Sequence, residues 1–507
     1  MSYLQLLELA APEAIVVLTA LAVLTVSLIA GRRAAGASIA TRTSGITEAR
    51  PGSKVAPELA TLVAAVGLAI AATAVLRLPA HAVVGDGMLV ISPLNSLFKL
   101  IVLALAFGTV LLARGERSLA HTGEYLALVL LATVGLMLLV GSEELLTIFI
   151  GLELTGLSLY VMTAFDKTRQ SSAEAGLKYF LFGSTASAFM LFGLSLIYGL
   201  AGTTALAGIG ARLSGGTLQP LLLVAIVMAL IGFAFKIAVA PFHFWAPDAY
   251  QGAPATSAGF IASGSKVASF VVLGKIVLIG FQGMHGNASW HAMLAGWAPV
   301  LAVLSALSIL VGNLAALAQK NVPRLLAYSA VAHGGYTLLG LIAASPSGFS
   351  ATLFYTTIYA ITLVGAFGVA GFVRRETGGD DLSDFAGLHH RAPMLAGCMA
   401  VFMLSLAGLP PLAGFFGKFY LFSVAIAADA NHGLLWLVAL ALFGSLISLY
   451  YYLMVLKAVF VDESDRARLP LRSDALSRLT ILLAAAATLF FGVYPSFLLS
   501  RILLALQ

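Results

Sequence analysis

The segment FKIAVAPFHFWAPDAYQGAPATSAGFIASGSK, residues 235–266, decides how the rest of the chain is read. One apolar run ends in it near Pro241, the chain turns through Pro247 and Pro254, and a second apolar run begins that contains Lys266. Lys236 and Lys266 therefore lie within hydrophobic runs, where an ammonium group costs at least about 2.5 kcal/mol at the centre of a bilayer. A single lysine of this kind is explained if its side chain reaches back to the interface. The same explanation must be invoked for Lys99, Lys178, Lys275 and Lys418, and it weakens with each repetition.

The composition sets the class. The 507 residues are 60% hydrophobic and 10% charged, with a mean hydropathy of +1.00, whereas soluble domains carry about 25% charged residues. Runs of about 20 apolar residues imply membrane-spanning helices, since the strands of a β-barrel would give short alternating segments. Fifty glycines suit helices that approach one another through small residues. The single Cys398 rules out an internal disulfide and a cysteine-ligated metal or iron–sulfur site. No GxGxxG or GxxxxGK[ST] stretch points to a nucleotide site. The first apolar run follows Glu8 and Glu13 with no basic residue before it, which argues for a membrane helix over a cleaved signal peptide.

A window of about 19 residues finds fourteen candidate spans, the seventh over 219–246, the eighth over 254–281 and the twelfth over 393–427. Of the 28 lysines and arginines, nineteen fall in segments on one side of this arrangement, three (Arg77, Arg212, Arg501) on the other, and six within spans. The positive-inside rule then places both termini on the outer, periplasmic side. The net charge of +6 is thus a topology signal, with no implication of nucleic acid. The expected fold is an all-α polytopic membrane protein of about fourteen helices, with helices seven and twelve broken. Both broken stretches carry Pro or Gly beside a lysine, and five spans separate them, an odd number that reverses orientation. The implied units are 1–120 (accessory helices one to three), 121–285 (a first five-helix repeat), 286–460 (a second, inverted repeat) and 461–507 (an inner loop and helix fourteen).

Ionisable groups held within hydrocarbon suit proton movement. Burial disfavours the charged form of a lysine and a neighbouring carboxylate favours it. At about 4 Å and an effective dielectric of 20 the pair gains roughly 4 kcal/mol, falling to roughly 1.7 kcal/mol at about 10 Å. Glu153, the one acid well inside a span, is therefore matched with Lys236 as an input switch, with Lys178, Lys266 and Lys418 as the relay and His243 and His333 as accessory proton carriers. Simpler readings stand beside these. Glu153 could lock helices as a static pair, Lys178 lies near a span end, and either histidine could serve as a helix-end hydrogen-bond partner. Lys99 and Lys275 are assigned to interfaces, His389 and His390 to a solvated loop, and Tyr450, Tyr451 and Tyr452 to packing or an aromatic belt.

The segments FIGLELTGLSLY, SAEAGLKYFLFGSTASAFMLFG, FKIAVAPFHFWAPDAYQGAPA, QKNVPRLLAYSAVAHGGY and LSLAGLPPLAGFFGKFY resemble, in the same order, subunit N of bacterial proton-pumping NADH:quinone oxidoreductase, respiratory complex I, one of its antiporter-like membrane subunits. The likeness runs from about residue 120 to 460. It implies that Glu153, Lys236, Lys266 and Lys418 are the family's proton-carrying glutamate and lysines of helices five, seven, eight and twelve, and that Lys178 matches a further lysine of subunit N. A lysine at 418 resembles subunit N, where the sister subunit M carries glutamate. The basic segment from Arg32 to Lys54 is longer than the family leads one to expect. The resemblance further implies that this chain binds no cofactor, and that NADH, flavin, iron–sulfur clusters and quinone belong to other subunits. Subunits K and M would be its neighbours, with the lateral helix of subunit L alongside, in the bacterial inner membrane. The competing readings are a subunit of a multisubunit cation/proton antiporter or membrane-bound hydrogenase, and a scaffold whose ion pairs only lock helices.

Overall fold

A computed structural model describes residues 3–44, 52–114, 116, 119, 121–214, 219–428, 431–463 and 474–506. Among them, twelve helices are long and apolar enough to cross a membrane. The stretches expected as spans seven and twelve are each two shorter helices, Pro220–Lys236 followed by Trp245–Gly252, and Pro393–Ala407 followed by Ala413–Ala427. The helical form follows from the solvent, because a backbone in hydrocarbon must satisfy its hydrogen bonds within the segment.

Helix starts are written into the sequence by capping residues and early prolines. Ser92, Asn321 and Ser345 accept from the backbone N–H of Asn95, Arg324 and Gly348, and Pro93, Pro323 and Pro346 occupy the first turn, where a missing N–H costs nothing. Glu144 caps the helix Leu145–Thr163 by accepting from Leu146 and Thr147. Two features depart from the all-helical expectation. A hairpin pairs Ala82–Val84 with Leu89–Ile91, and the basic segment expected as a loop is helical to Ser44 and again from Gly52. Residues 45–51, like the arginines at 117, 466, 468 and 472, lie outside the described residues.

Three helices form the centre of the bundle, Ala255–Gly280, Val322–Ile342 and Pro346–Thr377, each 94% buried over its most apolar window. The long helix Gln170–Ala201 is largely exposed, as a helix facing lipid or a partner must be. Close crossings rest on glycine. A Cβ on Gly312 would lie 2.5 Å from the backbone nitrogen of Ala332, and one on Gly193 would lie 2.5 Å from that of Ala229, so neither helix pair could pack at its observed separation with a larger residue.

Charged side chains gather at one end of the bundle. Asp248 accepts from Arg324 at 2.6 Å and from Lys178 at 2.8 Å, Lys178 also meets Glu174 at 2.7 Å, and Arg374 pairs with Asp380 while donating to the carbonyls of Gln251 and Ala253. Arg374 thereby clamps the turn between Trp245–Gly252 and Ala255–Gly280, setting the register of the lysine that follows. Overpacking a buried crossing costs about 1–3 kcal/mol. Gly312→Ile is therefore expected to lower both the amount of assembled complex in membranes and its thermal inactivation temperature, and unchanged values in a native-gel and heating assay would contradict the packing described.

Candidate functional site: a buried lysine, histidine and tyrosine network

The first break opens at Lys236, five residues before Pro241. The helix Pro220–Lys236 ends there, and the turn through 237–244 contains Ala238 in the left-handed region at φ 56°. Backbone groups released by the turn are taken up by side chains, the carbonyl of Phe235 by Trp245 Nε1 at 3.0 Å and the N–H of Ala240 by Ser308 Oγ at 2.8 Å. Both groups are therefore satisfied within the protein. Lys236, buried, points its Nζ at the carbonyl of Leu152, 3.5 Å away, and lies 5.9 Å from the ring centre of Tyr160. A Cβ on Gly156 would come within 3.3 Å of Nζ, so the glycine leaves room for the ammonium.

Glu153 is one residue from the carbonyl that Lys236 approaches, yet the two charges form no ion pair within 4.0 Å. Its carboxylate instead accepts from Ser187 Oγ at 2.5 Å. The static locking pair is thus not what the structure contains. Glu153 and Lys236 thus have a hydroxyl and a carbonyl as their present partners.

Lys266 follows a π-helical turn, Ile261–Ser265, in one of the three central helices of the bundle. Such turns widen the backbone ladder locally and are frequent at functional sites. Its Nζ donates to the carbonyl of Ala330 at 2.5 Å and lies 5.3 Å from the ring centre of Tyr359. At the second break, Gly408 (φ 87°) ends Pro393–Ala407 in a left-handed turn that suits glycine. Lys418, five residues into the following helix, donates to the carbonyls of Leu406 and Ala407, both at 3.0 Å, and to Ser445 Oγ at 2.9 Å. The ammonium thus occupies the negative end of the broken helix, where a cation is favoured. Lys236 precedes its break and Lys418 follows its own, so the two lysines are not equivalent in local position.

Between Lys266 and Lys418 stands His333. Its Nδ1 meets Tyr355 OH at 2.5 Å and its Nε2 meets Tyr452 OH at 3.0 Å. The ring also lies 4.9 Å from Tyr359, which faces Lys266, and 5.6 Å from Tyr336, whose ring lies 5.4 Å from the Lys418 ammonium. Tyr336 OH accepts from Asn313, which in turn accepts from Tyr451 OH at 3.1 Å, and Ser329 hydrogen-bonds to Tyr452. Each ring nitrogen of His333 therefore has a tyrosine hydroxyl within hydrogen-bonding distance, the contacts that tautomer exchange at the ring would need.

Several expectations change on this geometry. Lys178 is 41% exposed and tied to Glu174 and Asp248, so it belongs to the charged end and not to the buried row, because it lies too near its helix start to reach the centre. Lys99 and Lys275 are not interface residues. Lys99 is 1% exposed and pairs with Glu13 at 2.6 Å, and Lys275 is 3% exposed, pairs with Glu143 at 3.3 Å and donates to Val140 at 2.8 Å. Their side chains turn inward because a carboxylate and a helix-end carbonyl await them there. His243 is buried in the first break against Phe244 and Tyr328, with no partner for Nδ1. His389 meets the carbonyl of Val459 at 3.0 Å and so is more than a solvated loop residue. Tyr451 and Tyr452 are core network members and only Tyr450 faces outward, since successive helical residues point about 100° apart. Local spacing places Tyr336 three residues after His333, and Tyr355 and Tyr359 four apart on one helical face, but only packing joins these pairs to each other and to Tyr452. Among the described residues, no group of three or more His, Cys, Asp or Glu side chains could hold a metal ion.

Comparison with known proteins bears on this site. The family described as NADH:quinone oxidoreductase/Mrp antiporter, TM, matches residues 142–448, which hold Glu153, Lys236, Lys266, His333 and Lys418. The NADH-quinone oxidoreductase subunit N 2 of Acidobacterium capsulatum is 50% identical over 442 residues, covering 85% of this chain and 88% of the relative. A chain of respiratory complex I from Thermus thermophilus superimposes with a TM-score of 0.77 at 33% identity, over 96% of this chain and 98% of that one. A chain of the Mrp complex from Dietzia sp. DQ12-45-1b shares the fold, with a TM-score of 0.76 at 21% identity over 99% and 97% of the two chains. With half of its residues identical to a subunit N over most of both lengths, the chain belongs to the antiporter-like membrane subunits of the NADH:quinone oxidoreductase family.

Proposed function

We propose that the chain is a proton-translocating membrane subunit of an NADH:quinone oxidoreductase, coupling electron transfer in other subunits to proton movement through its buried lysines. One observation carries the reading: Lys236, Lys266 and Lys418 are each buried, each held by backbone carbonyls, and none has a carboxylate within 4.0 Å. An ammonium so placed is metastable, and a modest change in nearby charge decides whether it keeps its proton. The proposed path runs from the Glu153–Lys236 switch to Lys266, through His333 and its tyrosines, to Lys418. His243, buried with a free ring nitrogen at the first break, is an accessory group.

The architecture is read as fourteen crossings, counting each broken pair once. Element lengths support two related five-helix units within 121–285 and 286–460. Helices of 20, 19 and 32 residues open the first and helices of 21, 21 and 32 the second, and a 26-residue helix follows the broken pair in each. Residues 1–120 and 461–507 flank them. The excess of lysine and arginine puts the charged end inside, with both termini periplasmic and the chain in the bacterial inner membrane. NADH, flavin, iron–sulfur clusters and quinone are assigned to other subunits of the complex, with subunits K and M adjoining and the lateral helix of subunit L alongside. An antiporter or hydrogenase complex shares the fold, and copurification with quinone-reductase subunits separates these readings.

Lys236→Ala and Lys418→Ala are expected to leave the complex assembled while lowering NADH-driven quinone reduction and proton pumping about tenfold; pumping at the wild-type rate in both would end the proposal. His333→Leu removes the bonds to Tyr355 and Tyr452 with both lysines in place, and at least a fivefold loss of turnover is expected in the same vesicles. For topology, single cysteines introduced at the exposed positions Ala292 and Glu376 in a Cys398→Ala background should react with an impermeant maleimide from opposite sides, Ala292→Cys from outside and Glu376→Cys only after lysis.

A further inference from the structure

Two ion pairs that the proposed path does not use lie close together. Glu13 and Lys99 form one ion pair at 2.6 Å, and Glu143 and Lys275 form another at 3.3 Å, at the end of the bundle opposite the Asp248–Arg324 cluster. Both pairs converge on the C-terminus of the helix Thr122–Gly141. The carbonyl of Val140 accepts from Lys275 at 2.8 Å, and a Cβ on the next residue, Gly141, would lie 3.1 Å from the Nζ of Lys99. Glu143 is the only member of the four that reaches solvent, with its side chain 27% exposed against 8% or less for the other three.

A cavity of about 400 Å³ lies against this group, lined by Ser92, Asn95, Glu143, Lys275 and Ser345 among its polar residues. At roughly 30 Å³ per molecule it is large enough for several waters. Asn95, 1% exposed, lends the cavity wall an Oδ1 with no hydrogen-bond partner, an acceptor that water would satisfy. Lys275 and Lys266 share one helix, nine residues and about 13 Å apart, and π-helical turns bound the stretch between them on both sides, Ile261–Ser265 before and Ile276–Gly280 after.

We propose that Glu143, Lys275 and this cavity form an outer proton-release port of the chain, a site separate from the buried row and fed by it. The ammonium of Lys275 transfers a proton to the Glu143 carboxylate, leaving a neutral amine and a neutral acid. The acid gives that proton to water in the cavity, and the amine is reprotonated from the direction of Lys266. The Glu13–Lys99 pair is a positioning element. It holds a second ammonium beside Gly141, one residue from the carbonyl that binds Lys275, and so favours release over retention. The inference rests on the proposed proton-translocating function and on the outer placement of this end.

Complexes carrying Glu143→Gln, Glu143→Asp and the double change Lys275→Met/Glu143→Leu test it in membrane vesicles, with Lys236→Ala alongside. The port predicts that Glu143→Gln and the double variant lose at least fivefold in NADH-driven quinone reduction, while Glu143→Asp, which keeps a titratable acid, retains at least half. A purely structural ion pair predicts that the double variant, with both charges gone, works as wild type. Wild-type turnover in the double variant or in Glu143→Gln, with Lys236→Ala impaired, overturns the port alone; wild-type turnover in Lys236→Ala overturns the underlying function instead. Should the double variant not assemble, the contrast between Glu143→Gln and Glu143→Asp decides in the same way.

Discussion

An ammonium group removed from water must be solvated by something, and in this bundle that something is backbone carbonyl. Lys236, Lys266, Lys275 and Lys418 each donate to one or two carbonyl oxygens. A carbonyl stabilises the charge through its dipole without cancelling it, so the lysine keeps a buried charge that nearby groups can tip either way. A carboxylate that is in contact and itself buried would fix the proton in place, whereas Glu143 beside Lys275 opens to solvent. Lys99 illustrates the difference, since its contact with Glu13 at 2.6 Å makes it a structural ion pair.

The breaks in the helices serve this solvation. Within an unbroken helix a carbonyl is shared with the helix's own N–H groups, as at Leu152 and Ala330, whereas the last carbonyls of a helix have no such competitor. At Gly408 the helix stops, and the last carbonyls of Pro393–Ala407 point at Lys418. The first break works differently, because Trp245 and Ser308 take up its released backbone groups, and Lys236 must look across to Leu152 on a neighbouring helix. That places it beside Glu153 without touching it. Breakage at one site therefore makes a carbonyl cage, and at the other it frees a side chain to face a different element.

Packing and chemistry are coupled through the three central helices. Lys266 and His333 lie on two of them and Tyr355 and Tyr359 on the third, so any displacement that separates these helices changes the distances between these side chains. The Arg374 clamp on the Gln251–Ala253 turn ties the charged end to the start of the Lys266 helix.

By itself the sequence determined that the chain is helical and membrane-embedded, where its long apolar helices begin, and which lysines lie in apolar surroundings, because each of these depends on local composition and on neighbours within a few residues. Capping residues and prolines such as Ser345–Pro346, the broken stretches at Lys236 and Lys418, and the isolation of Glu153 were all legible in this way. The depth and partner of each charge were decided only by tertiary structure. Lys178 and Lys266 look alike in sequence, yet one ends in a surface ion cluster and the other against Ala330 at the centre. Lys99 and Lys275 resembled interface residues until Glu13 and Glu143, 86 and 132 positions away, were brought against them. The tyrosines around His333 come from three separate helices, and no short-range pattern joins them: whether a buried polar group is solvated, paired or left mobile is set by atoms that only the packed bundle brings within hydrogen-bonding distance.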